Sequence, residues 1–290
     1  MTHDTTASPP LAEKETTMSH QRRAGLYVDE LLRELETSAE DEVSLRHPMA
    51  FGEVVGRSRV EELSAAAEGI FSKVEPNHTW SGANIGGREW HGHFQNRRIH
   101  GVTVARRSGK RVQVDIFLGS FPAPARQALR DACRDLIGAD AWLLPSGIDT
   151  ALPPAPADEV LDAKLPFGLA ADVLLTSPVA CKPVRGVADV ERLCGHSVVV
   201  YGGRASGPRL TAGPTTLSLW TGSVAGLPLE VANVIHWEDS QHVKVMAMAM
   251  RPWPVVALFQ ARMQARTLSF LDASYFESGD ETPPLQLKEV

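Results

Sequence analysis

The chain repeats itself at a spacing of 130 residues. Residues 41–63 align with residues 171–193 without a gap. They share Val43/Val173, Leu45/Leu175, Pro48/Pro178, Ala50/Ala180, Val54/Val184, Gly56/Gly186, Val60/Val190, Glu61/Glu191 and Leu63/Leu193. Ordinary composition gives about one or two chance identities over such a stretch. The same shift pairs Trp90 with Trp220, Gly92 with Gly222, Val104 with Val234, and Pro-Ala-Pro at 122–124 with Pro-Trp-Pro at 252–254. A pattern written twice predicts one unit built twice. The expected organisation is a tail over 1–22, a domain over 23–142, a linker over 143–160, a second domain over 161–277 and a tail over 278–290. Pro145, Pro153, Pro154 and Pro156 stiffen the linker.

Each unit carries the same series of local patterns. Tyr27, Leu31 and Leu35 recur every four residues, with Val28 and Leu32 beside them, and predict a helix. The second unit keeps a shorter apolar segment from Val160 to Leu169. A short strand follows (Val43–Leu45, Val173–Leu175), then a proline loop and a brief helix, opened in the first unit by a capping-box pattern at Ser58 and Glu61. Four extended segments come next, at Ser197–Tyr201, Thr215–Val224, Leu227–Trp237 and His242–Met250 in the second unit. Val243, Val245, Ala247 and Ala249 alternate as a strand does, and Asp239-Ser240 marks a hairpin turn. A closing helix carries Leu129, Ala132, Cys133 and Leu136 in one unit and Leu258, Phe259 and Met263 in the other. These patterns predict an α+β fold of two tandem cone-shaped barrels, each a curved antiparallel sheet packed with helices. A bent sheet closed by helices leaves a conical pocket suited to a small apolar molecule.

Bulk properties exclude several classes. A net charge of −6 and a pI near 5.9 argue against a nucleic-acid surface. No apolar run approaches the length of a membrane span, and the polar start of the chain lacks the apolar core of a signal peptide. Cys133, Cys181 and Cys194 are odd in number and form no metal-type pair, which suits a reducing cytoplasm. No cofactor is expected.

The segments ADVLLTSPVACKPVRGVADV (171–190) and LEVANVIHWEDSQHVKVMAMAMRP (229–252) resemble the nuclear transport factor 2-like, SnoaL-type superfamily. Ketosteroid isomerases, polyketide cyclases and limonene-type epoxide hydrolases belong to it. The resemblance implies a cystatin-like fold over 161–275 and, through the repeat, over about 25–142. It implies a general base just before the loop proline, where this chain has His47 and Ser177. A hydrogen-bond donor to an enolate oxygen is implied on the penultimate strand, where Asn233 and Thr103 stand and the isomerases place a protonated Asp. Neither half has the paired carboxylates of those isomerases or of epoxide-opening relatives.

His47 can act as a base because imidazole titrates near neutrality; hydrogen bonding at a loop start is the alternative. Asp115, in the apolar run VQVDIFL, is an acid–base candidate if it faces the pocket and an interface charge if it faces away. Asn233 shares a face with Val231 and Ile235 and needs a partner from the protein or a ligand. Tyr27, Trp90, Thr103, Tyr201 and Trp220 are expected to line pockets, with Ala247 and Ala249 leaving room beside them. His91 and His93 share a strand face with His78 and His100 nearby, but lack an evident acidic or cysteine ligand, so no metal is expected. Cys181 has no base partner in view.

The expected function is a small-molecule cyclase or isomerase of polyketide-type biosynthesis that templates ring formation, pericyclic closure included, in an apolar substrate. A polyether-type epoxide hydrolase, and a binding or assembly protein without catalysis, are the alternatives. The two units are expected to pack sheet against sheet as an intrachain pseudo-dimer, with further homo-oligomerisation open. The second unit is preferred for the apolar pocket and the first, with His47 and Asp115, is the acid–base alternative.

Overall fold

Hairpins built on β-branched and aliphatic residues make up most of the chain. The computed structural model describes residues 26–138, 140–151 and 165–276, together with Leu285 and Lys288. The first half runs α1 (Val28–Glu34), β1 (Glu42–Arg46), β2 (Val54–Val55), α2 (Arg57–Glu68), β3 (Ser72–Gly82), β4 (Ile85–Phe94), β5 (Arg97–Ser108), β6 (Arg111–Leu118) and α3 (Ala123–Ile137). The second runs β7 (Gly168–Ser177), β8 (Ala180–Arg185), α4 (Val187–Val200), β9 (Gly202–Ala212), β10 (Thr215–Val224), β11 (Leu227–Trp237), β12 (His242–Arg251) and α5 (Trp253–Thr267). A 3-10 turn at Ala273–Tyr275 follows. The starts of α2 and α4 (57, 187), β3 and β9 (72, 202), β4 and β10 (85, 215), β5 and β11 (97, 227) and α3 and α5 (123, 253) all lie 130 residues apart. No helix among the described residues is long and apolar enough to cross a membrane.

Local chemistry sets these boundaries. Ala225 and Gly226 both have positive φ (51° and 79°), the backbone that a two-residue hairpin between β10 and β11 requires. The repeated Pro-x-Pro places one proline ahead of each closing helix and one in its first turn, where a missing N–H costs no helical bond. α2 starts at Arg57 behind Gly56 (φ 105°) with no side-chain cap, so the box expected at Ser58 does not form. Ser197–Val200, expected as strand, is the last turn of α4. The β-branched run there favours strand, but burial of Val190, Leu193 and Cys194 along one helical face outweighs that weak preference. Leu169 lies in β7 rather than a helix, and residues 160–164 of that expected segment are outside the described residues. Trp142, the last residue of the expected first domain, and Leu144, at the start of the expected linker, are buried in the core; residues 152–160 are outside the described residues.

All the strands belong to one sheet, ordered β3-β4-β5-β6-β12-β11-β10-β9, mostly antiparallel. β1 adds in parallel to β6 and β7 in parallel to β12. The halves join edge to edge where Leu118 of β6 meets Met250 of β12. On the helix-bearing faces one large core runs through both halves. On the opposite faces Trp80, Val102, Val104 and Phe117 pack with Leu217, Leu219, Ala232, Val234, Ala247 and Ala249 in a second apolar layer. The halves thus also meet face to face, closely enough that a Cβ at Gly87 would lie 2.5 Å from Leu217 Cδ2.

Candidate functional site

In the second half the concave sheet face, α4 and α5 enclose a cavity of about 440 Å³. Its wall on β12 is Met246, Met248 and Met250, and on β11 Asn233, Ile235 and Trp237. Trp220 and Ser218 line it from β10, Arg204 and Arg209 from β9, Leu193 and Cys194 from α4, and Phe259 and Met263 from α5. Ala247 and Ala249, expected to line a pocket, point the other way into the layer between the halves. The ladder shifts register between His236 and Trp237, opposite Val245 and Val243, and this bulge turns the methionines inward. Unbranched thioethers make an apolar wall that adapts to irregular guests.

A few polar groups interrupt this surface. Asn233 sits between Ser218 and Met248 in the β10–β11–β12 register and is 6 % exposed. Its Oδ1 is buried without a hydrogen-bond partner, so a ligand hydroxyl or N–H reaching it would satisfy an otherwise orphaned acceptor. Ser177 lines the cavity, and its Oγ accepts a hydrogen bond from Val179 N–H at 2.9 Å, which fixes the loop. The Arg204 guanidinium lies 4.8 Å from the Trp220 ring centre and that of Arg209 lies 5.9 Å from Trp237. Tyr201 leans on Trp220 with ring centres 5.0 Å apart. Burial pushes the Cys194 thiol up to about 12, so it stays protonated and is no nucleophile. Among the described lining residues there is no carboxylate and no imidazole.

The matching positions of the first half are filled. Thr103, one repeat before Asn233, donates to the Leu26 carbonyl at 2.6 Å and accepts from Trp90 Nε1 at 3.0 Å. Leu31 of α1 presses so close to β4 that a Cβ at Gly86 would stand 2.8 Å from it. Tyr27 is buried at the start of α1, and burial raises its phenol to about 12. His47 is 2 % exposed, takes a hydrogen bond from Met49 N–H on Nδ1 at 3.2 Å, and meets the Trp142 ring edge-on. Burial, helped by the Arg251 charge, drops its pKa to about 3. A neutral ring buried away from water is poorly placed for the base expected from the sequence, and its Nε2 has no hydrogen-bond partner.

Asp115 is likewise an interface charge rather than an acid–base group. Arg46 and Arg106 both clasp its carboxylate, and Gln113 Nε2 lies 3.0 Å from Oδ1. Burial alone would raise its pKa, but the Arg46 hydrogen bond and the two guanidinium charges hold it below the usual carboxylate range. Arg46 also forms a two-pronged bridge to Glu230 of β11, at 2.7 and 2.6 Å. Cys181 is exposed. Arg204, Arg209 and the three methionines were not anticipated. The Met246-Ala-Met-Ala-Met250 alternation is visible in the sequence, but only the bulge decides which face it serves.

No family model matches the chain, and no curated protein matches it. Solved structures to which it is similar include a steroid delta-isomerase from Pseudomonas aeruginosa, at 22% identity over 36% of this chain and 78% of that one, with a TM-score of 0.34. Another is an uncharacterized protein conserved in bacteria, with a cystatin-like fold, from Silicibacter pomeroyi DSS-3, at 22% identity over 35% of this chain and 72% of that one, TM-score 0.34.

Proposed function

We propose that the chain is a small-molecule cyclase or isomerase of polyketide type that folds a large, mostly apolar substrate inside the cone of its second half. The observation that carries this reading is the 440 Å³ apolar cavity with one unsatisfied polar atom, Asn233 Oδ1, in its wall. Holding a flexible chain in a reactive conformer supplies much of a barrier to ring closure without an acid or base. Asn233 would orient a hydroxyl or N–H of that substrate, and the guanidiniums of Arg204 and Arg209 favour a guest with a carbonyl-rich or anionic end. On this reading the halves are two copies of one unit, paired within the chain, with the first serving as scaffold. The epoxide-opening alternative loses ground because it needs paired acids.

Binding without turnover is the second reading, favoured by the lack of any carboxylate or imidazole among the described lining residues. One experiment separates them. Linear polyenes are added to the purified chain, Trp220 and Trp237 fluorescence reports binding, and product mass and ring count report conversion. Conversion lost in Asn233→Ala but kept in His47→Ala supports the cyclase. Quenching without conversion leaves a binding protein, and equal behaviour of both variants sinks the assignment of the site.

A further inference from the structure

Two carboxylates are buried among the described residues, Asp115 and Glu89. Asp115 is held between guanidiniums. Glu89, 2 % exposed on β4, has no arginine or lysine partner among the described residues. Its neighbours are three imidazoles and an amide. Asn77 Nδ2 and His78 Nδ1 each lie 2.7 Å from Oε2, and His100 Nε2 lies 3.0 Å from Oε1. From the second half, His236 Nε2 reaches to 4.0 Å of Oε2.

The placement is set by the sheet. His78 stands directly opposite Glu89 in the β3–β4 register. His236 arrives from β11 across the seam between the halves, its ring edge-on to His78 with centres 4.6 Å apart. One donor atom from each of His78, Glu89 and His236 falls within a 4.8 Å span. Two imidazole nitrogens and a carboxylate oxygen are the donor set of zinc sites that keep one position for water. The histidine side chains are 28% and 24% exposed, which gives that water access and lets both rings turn. Tetrahedral zinc needs donor atoms about 3.3 Å apart, so a modest rotation of His236 closes the site. His100, on the other carboxylate oxygen, would fix the orientation of Glu89, as outer hydrogen bonds do at metal centres.

We propose that His78, Glu89 and His236 bind one divalent cation of the zinc class, fastening the β3–β4 edge of the first half to β11 of the second. The site lies on the opposite side of β11 from the cone and stands or falls independently of the cyclase reading. His91 and His93, the pair prominent in the sequence, take no part in it.

The test uses the full chain, stripped with a chelator and titrated with Zn²⁺ alone by calorimetry, with Co²⁺ as a coloured substitute. One equivalent should bind, the melting temperature should rise, and Co²⁺ should give visible bands of a four- or five-coordinate site. His78→Ala and His236→Ala should each weaken binding at least a hundredfold, whereas His242→Ala, at an exposed turn, should bind as the parent does. An unaltered chain that takes up no stoichiometric Zn²⁺ and shows no Co²⁺ bands overturns the proposal without recourse to any variant. Affinity unchanged in both histidine variants overturns it equally.

Discussion

Leu118 and Met250 face each other in the β6–β12 ladder, and at this register position the sheet of one half becomes the sheet of the other. Met250 also lines the cone, so the joint between the halves and the wall of the cavity share a side chain. Four predictions follow from the packing around this joint.

Arg46 bridges Asp115 of its own half and Glu230 of the other. Arg46→Met leaves Asp115 buried with Arg106 as its remaining ion-pair partner and should cost up to about 3–5 kcal/mol in urea unfolding, the range for breaking a buried pair. Asp115→Asn in the same chain should recover part of the loss. Because the folded pKa of Asp115 is depressed, its contribution is present above the ordinary carboxylate range and fades as the pH falls below it. A parent and an Asp115→Asn chain with the same acid limb would refute this.

His47 sets a slope at higher pH. Unfolded it titrates near 6.5, and folded near 3. Between these values the unfolded chain holds the extra proton, so stability falls as the pH drops, by at most about 1.4 kcal/mol per unit. Above 6.5 the contribution is flat. Denaturation midpoints measured at pH 7 and pH 5 should therefore differ more in the parent than in His47→Gln.

Trp90 lies over Gly101, and a methyl group there would overlap its ring. Gly101→Ala must push Trp90 off Thr103 and break their hydrogen bond. A loss of about 1–3 kcal/mol is expected from overpacking alone. A change smaller than 0.5 kcal/mol would show that the ring has room to move.

Met248 faces Asn233 across the β11–β12 ladder. Met248→Trp puts bulk into the cone without disturbing the core beneath. Ligand binding should fall at least tenfold while unfolding shifts by less than about 1 kcal/mol. Unchanged binding would place the ligand elsewhere.

The sequence spoke most clearly where one residue type serves one purpose. The repeated prolines and the extended segments of β10 to β12 read directly, because period and turn chemistry act locally. Facing is another matter. One bulge opposite Val243 sends Ala247 and Ala249 to the seam and the methionines to the cavity, and no local rule announces it. Asp115 was ambiguous for a like reason: its meaning rests on Arg46 and Arg106, sixty-nine and nine residues away in sequence. His47 fell at the expected place, but only the packing of Trp142 and Arg251 around it shows that water never reaches its ring.

Thr103 and Asn233 occupy one position of the repeat, the first tied to the Leu26 carbonyl and the second open to a cavity. A symmetric pair of identical subunits could not maintain that difference, since each substitution would appear on both sides of the dyad. Carried in a single reading frame, the two cones are released from each other. A residue that closes one half against its own helix needs no counterpart in the other, and the cavity wall can vary in one half while the packing of the other stays as it is.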